Sequence, residues 1–296
     1  MSIKAFFYSV AVLVAGLFSG GVQAQEALVA GQEAVFTFTP SGYFSNKPVP
    51  VYYYKAPQAG KDAKVLIAIH GAERDATIQR SNWQSWAQKN NAVVLAPQFD
   101  KGPYPDRLFQ WGGMEDTDPQ HWTFQIVEQL FQKVRRDEHL NAERYFLFGH
   151  SAGGQFVHRF TLMMNESHVA VAVAANAGSY TMPTYQDSFF SRGFPWFASE
   201  KRLPPAQLAQ AFSHKMVVML GEEDTKSDAL LPKEPEAMAQ GEHRFARGQN
   251  FYKTALEQAQ RLHVDLAWTL QTVPGVGHSP KGTTKQAEKI FTNFDN

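Results

Sequence analysis

The chain has 296 residues, of which 44% are hydrophobic and 19% charged, enough to bury the core of one large α/β domain or of two small ones. Lysine plus arginine equals aspartate plus glutamate at 28 each, so the neutral chain has no electrostatic reason to bind nucleic acid or an anionic membrane. The absence of cysteine excludes disulfides, thiolate catalysis and cysteine-ligated metals.

The N-terminal segment 1–24 is typical of an export signal. Lys4 gives it a positive start, an apolar run covers 6–18, and small residues follow up to Ala24. A membrane-spanning helix needs about 20 apolar residues, so the run fits a cleaved secretory peptide better than the alternative, an uncleaved anchor. We therefore predict a signal peptide over 1–24, a mature domain over 25–296 without a membrane span, and a secreted or periplasmic location.

Apolar runs alternate with amphipathic segments along the rest of the chain. AVFTFTP and VPVYYYKAP have the alternation of an opening β-hairpin. Continuous apolar runs are typical of strands buried on both faces, and six occur: AKVLIAIHG, NAVVLAPQF, ERYFLFGH, HVAVAVAANAG, KMVVMLGEED and VDLAWTLQTVPG. Helical patterns separate several of them; Asp118 and Pro119 favour the start of one, with a capping residue and proline at the first helical position. This order predicts an α/β fold with a mostly parallel sheet and helices on both faces.

The segment 179–212 interrupts this alternation. It lies between two predicted buried strands and is rich in aromatic residues and prolines. A connection of this length is usually functional. We expect an aromatic-rich insertion near 179–212 that either walls part of a substrate pocket or packs onto the core through its own aromatics.

Ser151 lies in the stretch YFLFGHSAGGQF, where a predicted strand meets a predicted helix. Together with Gly149 and Gly153 it satisfies the pattern Gly-x-Ser-x-Gly. In a sharp strand–turn–helix arrangement the serine is lifted out of the sheet in a strained conformation, and its neighbours must be small because backbone and helix crowd there. This context predicts that Ser151 is a nucleophile; a purely structural tight turn is the alternative.

A serine hydroxyl needs a base within hydrogen-bond distance, and the base needs an orienting acid. His278 is the predicted base, because it lies in the glycine-rich loop TVPGVGHSPKG after the last strand, on the same sheet edge as Ser151. Asp224 is the predicted acid, because it follows the preceding buried strand. A shift of one or two residues would turn a different carboxylate inward, so three alternatives stay open: Glu222, Glu223 and Asp228.

Two backbone N–H groups are predicted to form the oxyanion hole. One belongs to Ala152, directly after the nucleophile at the start of a predicted helix. The other belongs to Ala72, in the loop after the strand VLIAIHG. His70 in this loop is expected to hold the loop together by hydrogen bonds rather than to perform chemistry.

Two aromatic residues are candidates for the substrate pocket. Trp111 lies in LFQWGGMEDTD, as a pocket wall or as part of a loop turn, and Tyr180 follows NAGS at a strand end, as an acyl-pocket residue or as a packed aromatic. No metal site is predicted, because the nearby acidic residues do not fall at metal-ligand spacings. These residues are Asp116, Asp118, Glu222, Glu223 and Asp224.

The order Ser151, Asp224, His278 and the His-Gly loop resemble the α/β-hydrolase superfamily over nearly all of the mature sequence. Within it, the chain is similar to secreted esterases related to polyhydroxybutyrate depolymerases and feruloyl esterases. The resemblance implies an α/β-hydrolase fold with an eight-stranded sheet, an acyl-serine intermediate and no cofactor. We expect an exported serine hydrolase acting on a small-molecule or polymeric carboxylic ester. The alternatives are a peptidase or amidase with the same catalytic residues and a catalytically silent binding protein.

Overall fold

The computed structural model describes residues 27–185 and 196–294, so the predicted signal peptide over 1–24 lies outside the described residues. Ten β-strands fall within the described part of the chain: β1 (Glu33–Phe38), β2 (Val49–Lys55), β3 (Val65–Ile69), β4 (Val93–Pro97), β5 (Tyr145–His150), β6 (Val169–Ala175), β7 (Met182–Tyr185), β8 (Phe197–Ala198), β9 (Met216–Gly221) and β10 (Trp268–Val273). Eight of them form one sheet in the order β1-β2-β4-β3-β5-β6-β9-β10, and β7 pairs separately with β8.

The main sheet is mostly parallel, as the sequence predicts. The opening strands β1 and β2 are antiparallel to each other, and β2 is antiparallel to β4. All the other neighbours in the sheet run parallel. The loops that follow β3, β5, β6, β9 and β10 therefore leave the sheet at one edge, where ligands bind in open α/β sheets.

Eight α-helices occur in the described residues: α1 (Ala76–Asn90), α2 (Asp106–Phe109), α3 (Phe124–Asp137), α4 (Ala152–Met163), α5 (Pro205–Ser213), α6 (Pro235–Gln240), α7 (Arg244–Leu262) and α8 (Pro280–Thr292). Helices α1 and α8 pack on each other and on the sheet, whereas α4, α5 and α7 form a second contiguous layer. Across residues 27–185 and 196–294, no helix has the length and apolar character needed to span a membrane.

Strand β5 is apolar on both faces because helices cover it from both sides. Phe148 meets Trp83 of α1 edge-on, with ring centroids 5.0 Å apart. Tyr145 packs on Phe131 of α3 at 4.8 Å. Odd and even positions of a strand point to opposite faces, so the continuous apolar run that ends at the predicted nucleophile is the pattern of a central strand.

One predicted helix begins later than its sequence signal. Asp118 accepts a hydrogen bond from the Gln120 N–H at 2.9 Å, but it caps only a short 3-10 turn over Pro119–His121. The extended backbone of Trp122 (ψ 135°) ends this turn, and α3 starts at Phe124. Burial of the large Trp122 side chain overrides the local start signal.

The predicted insertion over 179–212 contains short elements of its own. Strands β7 and β8 pair in it, and α5 begins near its end. Residues 186–195 lie outside the described residues. The Tyr185 hydroxyl donates to the Leu203 carbonyl at 2.7 Å, so the two described sides of the insertion are tied to each other.

Candidate active site

Four loops at the carboxyl edge of the sheet carry the residues predicted to act together. The loop after β3 carries Ala72, the turn after β5 carries Ser151, the loop after β9 carries Asp224, and the loop after β10 carries His278. Their strands are close neighbours in one parallel sheet, so groups far apart in the chain meet at one place.

Ser151 has the strained conformation predicted for it. Its φ of 59° and ψ of −118° are uncommon for a residue with a side chain. A Cβ added to Gly149 would lie 2.2 Å from the Gly153 carbonyl oxygen, and one added to Gly153 would lie 2.4 Å from the Ile69 carbonyl oxygen. The residues around the serine must therefore be glycines because strand and helix backbones approach too closely for a side chain.

Ser151, His278 and Asp224 form one continuous hydrogen-bonded chain. Ser151 Oγ lies 3.0 Å from His278 Nε2, and His278 Nδ1 lies 2.7 Å from Asp224 Oδ2. A carboxylate only accepts hydrogen bonds, so Nδ1 carries the proton and Nε2 can accept from the serine hydroxyl. The Asp224 side chain is 2% exposed and that of His278 is 25% exposed, so the acid is shielded while the imidazole stays open to a substrate.

The three alternative carboxylates have other surroundings: Glu222, Glu223 and Asp228. The first two are exposed at the surface. The third forms two hydrogen bonds with Arg244, at 2.8 and 2.9 Å. Among the carboxylates of the described residues, Asp224 is the one within hydrogen-bond distance of His278.

Asn176 joins the acid loop to the base loop and is not among the residues predicted from sequence. Its Oδ1 accepts from the Gly221 N–H at 2.8 Å, and its Nδ2 donates to the Gly277 carbonyl at 3.1 Å. It follows β6 with a φ of 46°, a left-handed conformation in which asparagine is enriched. The available sequence signal was a polar residue directly after the apolar run HVAVAVAA, at the carboxyl end of a strand.

His70 holds the loop after β3, as predicted. The Phe99 N–H donates to Nε2 at 2.9 Å, so Nδ1 carries the proton and donates to the Gly71 carbonyl at 2.9 Å. Burial lowers the pKa of His70 to about 4, so the ring is neutral at neutral pH. The Gly71 carbonyl also accepts from the Arg74 N–H at 3.2 Å. In a trans peptide the next N–H points opposite to the carbonyl, so these bonds turn the Ala72 N–H away from His70.

The two predicted oxyanion donors belong to the nucleophile turn and to the loop that contacts it. Ala152 is the first residue of α4, and the first N–H groups of a helix have no intrahelical acceptor. The Ala72 N–H has no acceptor among the described residues. A Cβ added to Gly71 would lie 3.8 Å from the Ser151 Cβ, so this loop contacts the nucleophile turn. Both N–H groups are thus free of an acceptor in the described residues, one directly after the serine and the other directly after a glycine that contacts the nucleophile turn.

His150 packs against the predicted base. Its ring centroid lies 4.6 Å from that of His278, at an interplanar angle of 40°. Burial is the main reason that the pKa of His150 is held well below its ordinary value, and the neighbouring His278 and Arg244 lower it further. His150 is therefore neutral and places no like charge next to the imidazole of His278.

A cavity of about 530 Å³ borders the site through Ala72 and Gln155. Trp111, for which the sequence left a pocket wall and a loop turn open, lies in its wall and faces Trp196 of the insertion with ring centroids 6.1 Å apart. Ser179, the first residue of the predicted insertion, also lines it. Both described ends of the insertion therefore contribute to the cavity.

Tyr180 lies in the core and not in the wall of this cavity. It is fully buried, and its ring stacks on Phe251 of α7 with centroids 4.4 Å apart. Tyr180 is therefore a packed aromatic, the second of the two alternatives left open by the sequence, and it does not line this cavity. The adjacent Ser179 faces the cavity instead, which leaves Tyr180 pointing toward α7.

The polar floor of the cavity is backed by a buried arginine. Arg159 donates to the Gln110 carbonyl at 2.9 Å, to Gln155 Oε1 at 3.3 Å and to Ser179 Oγ at 3.5 Å. Burial lowers the pKa of Arg159 to about 9, so it still carries its charge at neutral pH. Its hydrogen-bond acceptors in the described residues are uncharged, including Thr181 Oγ1 at 3.0 Å.

A serine raised on a strand–turn–helix at the carboxyl edge of a mostly parallel sheet, with acid and histidine following in that chain order, defines the α/β-hydrolase class. The chain is similar to poly(aspartic acid) hydrolase-1 from Sphingomonas sp. KT-1, with 33% identity and a TM-score of 0.80 over 88% of this chain and 99% of that chain. This chain belongs to the α/β-hydrolase family.

Two further comparisons agree with this class. The poly(3-hydroxybutyrate) depolymerase LpqC from Bordetella parapertussis is 26% identical, with a TM-score of 0.81 over 90% of this chain and 91% of that chain, which confirms the predicted resemblance. The bifunctional acetylxylan esterase/xylanase XynS20E from Neocallimastix patriciarum is 26% identical over 112 residues, and the match spans 36% of this chain and 15% of that curated relative. No protein-family model matches the chain. These relatives are esterases and hydrolases, and this protein is an enzyme of the serine ester hydrolase class.

Proposed function

We propose that the protein cleaves carboxylic esters through an acyl-serine intermediate on Ser151, with His278 as general base and Asp224 as the group that orients it. The observation that supports this most directly is the unbroken chain of hydrogen bonds, at 3.0 Å from Ser151 to His278 and 2.7 Å from His278 to Asp224. A serine hydroxyl is a poor nucleophile near neutral pH, and this chain provides an acceptor for its proton.

The reaction proceeds in two halves with the same proton carrier. Ser151 Oγ attacks the ester carbonyl carbon while His278 Nε2 takes the hydroxyl proton, which gives a tetrahedral oxyanion. The carbon–oxygen bond to the alcohol then breaks, and Nε2 returns the proton to the leaving oxygen. Water attacks the acyl-serine, gives its proton to Nε2, and the carboxylic acid leaves as Ser151 is protonated again.

The oxyanion formed in each half is stabilised by the N–H groups of Ala72 and Ala152. Both belong to the backbone, so they are fixed before the substrate arrives and need no reorganisation during the reaction. Asp224 stays ionised and stabilises the imidazolium of His278. Neutral His150, whose ring packs against that of His278, adds no repulsion to that charge.

Labelling with a fluorophosphonate probe tests the proposal. The folded wild-type protein should be labelled at Ser151, and Ser151→Ala should not be labelled. The same pair is then assayed on 4-nitrophenyl esters of graded acyl length, where the variant should lose nearly all activity. An unlabelled folded wild type would support a catalytically silent hydrolase fold used for binding. A fully active Ser151→Ala would overturn the mechanism.

We further propose that the protein is exported, with cleavage after Ala24. The support is the sequence of 1–24, whose charged start, apolar run and small-residue ending fit a secretory peptide. Expression of the full chain in a bacterial host tests this by mass spectrometry of the periplasmic and secreted fractions. A mature protein that begins at Gln25 supports export, whereas a chain that keeps 1–24 in the cell contradicts it.

A second candidate substrate is an amide polymer that carries carboxylates, because one relative is a poly(aspartic acid) hydrolase and the same residues can cleave amides. The favouring observation is the buried charge of Arg159, whose acceptors are uncharged; the two lysines of the cavity wall are balanced by two glutamates. Arg159 lies beneath its floor, and Lys101 and Lys233 lie in its wall. Of the wall carboxylates, Asp106 is already paired with Arg74 at 2.7 Å. The remaining two are Glu73 and Glu234.

Paired substrates separate the two candidates. If the cavity binds anions, kcat/KM for 4-nitrophenyl hemiglutarate should exceed that for the neutral valerate ester, and Lys101→Gln with Lys233→Gln should reduce this preference. Amine release from poly(aspartic acid) measures amide cleavage directly. Equal use of both esters by wild type and variant, with no amine released, would leave simple ester hydrolysis as the function.

A further inference from the structure

Arg244 lies between two carboxylates, one of which belongs to the predicted catalytic chain. Its Nη1 and Nη2 bond the two oxygens of Asp228 at 2.8 and 2.9 Å. The same Nη1 lies 3.7 Å from Asp224 Oδ1, beyond hydrogen-bond distance. The arginine side chain is 1% exposed and that of Asp224 is 2% exposed, whereas Asp228 is 43% exposed.

The two-point contact decides which carboxylate satisfies the arginine. A buried charge needs a well-placed partner, and the parallel double hydrogen bond between guanidinium and carboxylate is the strongest such arrangement. Asp228 provides it for Arg244. Asp224, whose Oδ2 bonds His278, is left with only a loose contact to the arginine through Oδ1.

We propose that Asp228 is a positioning residue for catalysis: by holding Arg244 in a two-point ion pair, it keeps the guanidinium from closing onto Asp224. This rests on the proposed role of Asp224 as the group that orients His278. Without Asp228, the buried Arg244 would have Asp224 as its nearest carboxylate. The arginine would then compete with His278 for that carboxylate and would place an uncompensated positive charge near the imidazolium.

The other titratable groups that face this set are His150 and Tyr180, which are neutral in the working pH range, and Arg247 of α7, which keeps its charge because burial lowers its pKa only to about 10. His150, at the end of β5, is held neutral by burial. Burial also raises the pKa of Tyr180, which follows β6, so its hydroxyl stays protonated. Arg247 is the same in every variant, so Arg244 of α7 and Asp228 of the loop after β9 supply the charges that the test changes. Asp228 is ionised over this whole range, because its hydrogen bonds to Arg244 lower its pKa to about 2.

The pH dependence of fluorophosphonate labelling at fixed ionic strength tests the proposal. Attack by the serine needs a neutral imidazole, so the acid limb of the rate profile reports protonation of the base. Asp228→Asn should move this limb to lower pH by on the order of half a pH unit and reduce the plateau rate. Arg244→Gln should move it to higher pH, and the double variant should return close to wild type because the pair is removed together.

A matched control comes from a second arginine–carboxylate pair, formed by Glu33 of the outer strand β1 and Arg80 of α1. The Glu33 side chain is 37% exposed, close to the exposure of Asp228, and Glu33→Gln should leave the profile unchanged. If Arg244→Gln does not fold, Asp228→Asn, which changes a 43% exposed side chain, still carries the test by itself. Asn keeps the shape of the replaced side chain.

The outcomes distinguish this inference from the proposed function. If the wild type is labelled and the pH profile of Asp228→Asn superimposes on the wild-type profile, the role of Asp228 is overturned. The proposed function then still stands. Shifts of both single-variant profiles in the same direction also overturn the role of Asp228, because removing a negative charge and removing a positive charge must move the profile in opposite directions. A wild type that is not labelled at all overturns the proposed function, and the inference with it.

Discussion

The Nδ1 of His70 donates a hydrogen bond to the carbonyl oxygen of Gly71 at 2.9 Å, and the peptide unit that it fixes also carries the N–H of Ala72. We expect His70→Ala to lower kcat about tenfold to hundredfold with little change in KM, because loss of a whole oxyanion donor costs about 10²–10³ and this variant only releases one from its orientation. Steady-state kinetics on a neutral ester measures this. His121→Ala is the control, and wild-type kcat in a folded His70→Ala would contradict the role.

Single carboxylate variants test the choice of Asp224 among its neighbours. Asp224→Asn keeps the shape of the side chain but favours the wrong imidazole tautomer, so we expect kcat to fall by roughly 10⁴. Glu222→Gln and Glu223→Gln are matched controls from the same turn, and both should keep near wild-type kcat because their side chains are exposed at the surface. A large loss in either control, with activity retained in Asp224→Asn, would reassign the acid.

The crowding around the nucleophile predicts a stability effect at Gly153. An added Cβ would lie 2.4 Å from the Ile69 carbonyl oxygen, so Gly153→Ala forces strand β3 and helix α4 apart. We expect the free energy of unfolding, measured by urea denaturation, to fall by about 1–3 kcal/mol. Gly60→Ala is the control, because nothing lies within 4 Å of its added Cβ. Equal urea midpoints for the two variants would show that the turn accommodates a Cβ at residue 153 and would contradict the prediction.

Buried neutral histidines predict that the fold is destabilised by mild acid. Burial holds the pKa of His70 at about 4 and those of His150 and His158 well below 6.5. In the unfolded chain each protonates near 6.5, so the unfolded state binds more protons below that pH. The neutral buried histidines therefore contribute their full share to the free energy of unfolding above pH 6.5, and this share is lost as the pH falls toward 4. His70 alone accounts for roughly 3 kcal/mol of it.

Urea denaturation between pH 7.5 and 5 measures this loss. His158→Gln should flatten the pH dependence by about 1.4 kcal/mol per pH unit, the contribution of one proton. His139→Gln replaces an exposed histidine and should leave the slope unchanged. A wild type whose free energy of unfolding stays constant from pH 7.5 to 5 would contradict the argument.

The sequence alone was sufficient where a local signal met no competing tertiary contact. The run YFLFGH ends directly before Ser151, and Gly149 and Gly153 lie on its two sides. A strand, a tight turn and a helix follow from those few residues without knowledge of the rest of the chain. The alternation of buried apolar runs with helical segments predicted a parallel sheet, because only a crossover can join parallel strands. The order of Ser151, Asp224 and His278 followed from where each stands relative to its strand.

Tertiary structure decided every feature that depends on how distant loops approach each other. Asn176 links two loops that follow different strands. Arg244 bonds Asp228 at 2.8 Å but lies 3.7 Å from Asp224, too far for a hydrogen bond. The Tyr180 side chain stacks on Phe251 of α7, and the buried Trp122 lies before α3, which starts only at Phe124. Such contacts are set by the register and twist of the whole sheet, which residue spacing within one segment does not encode.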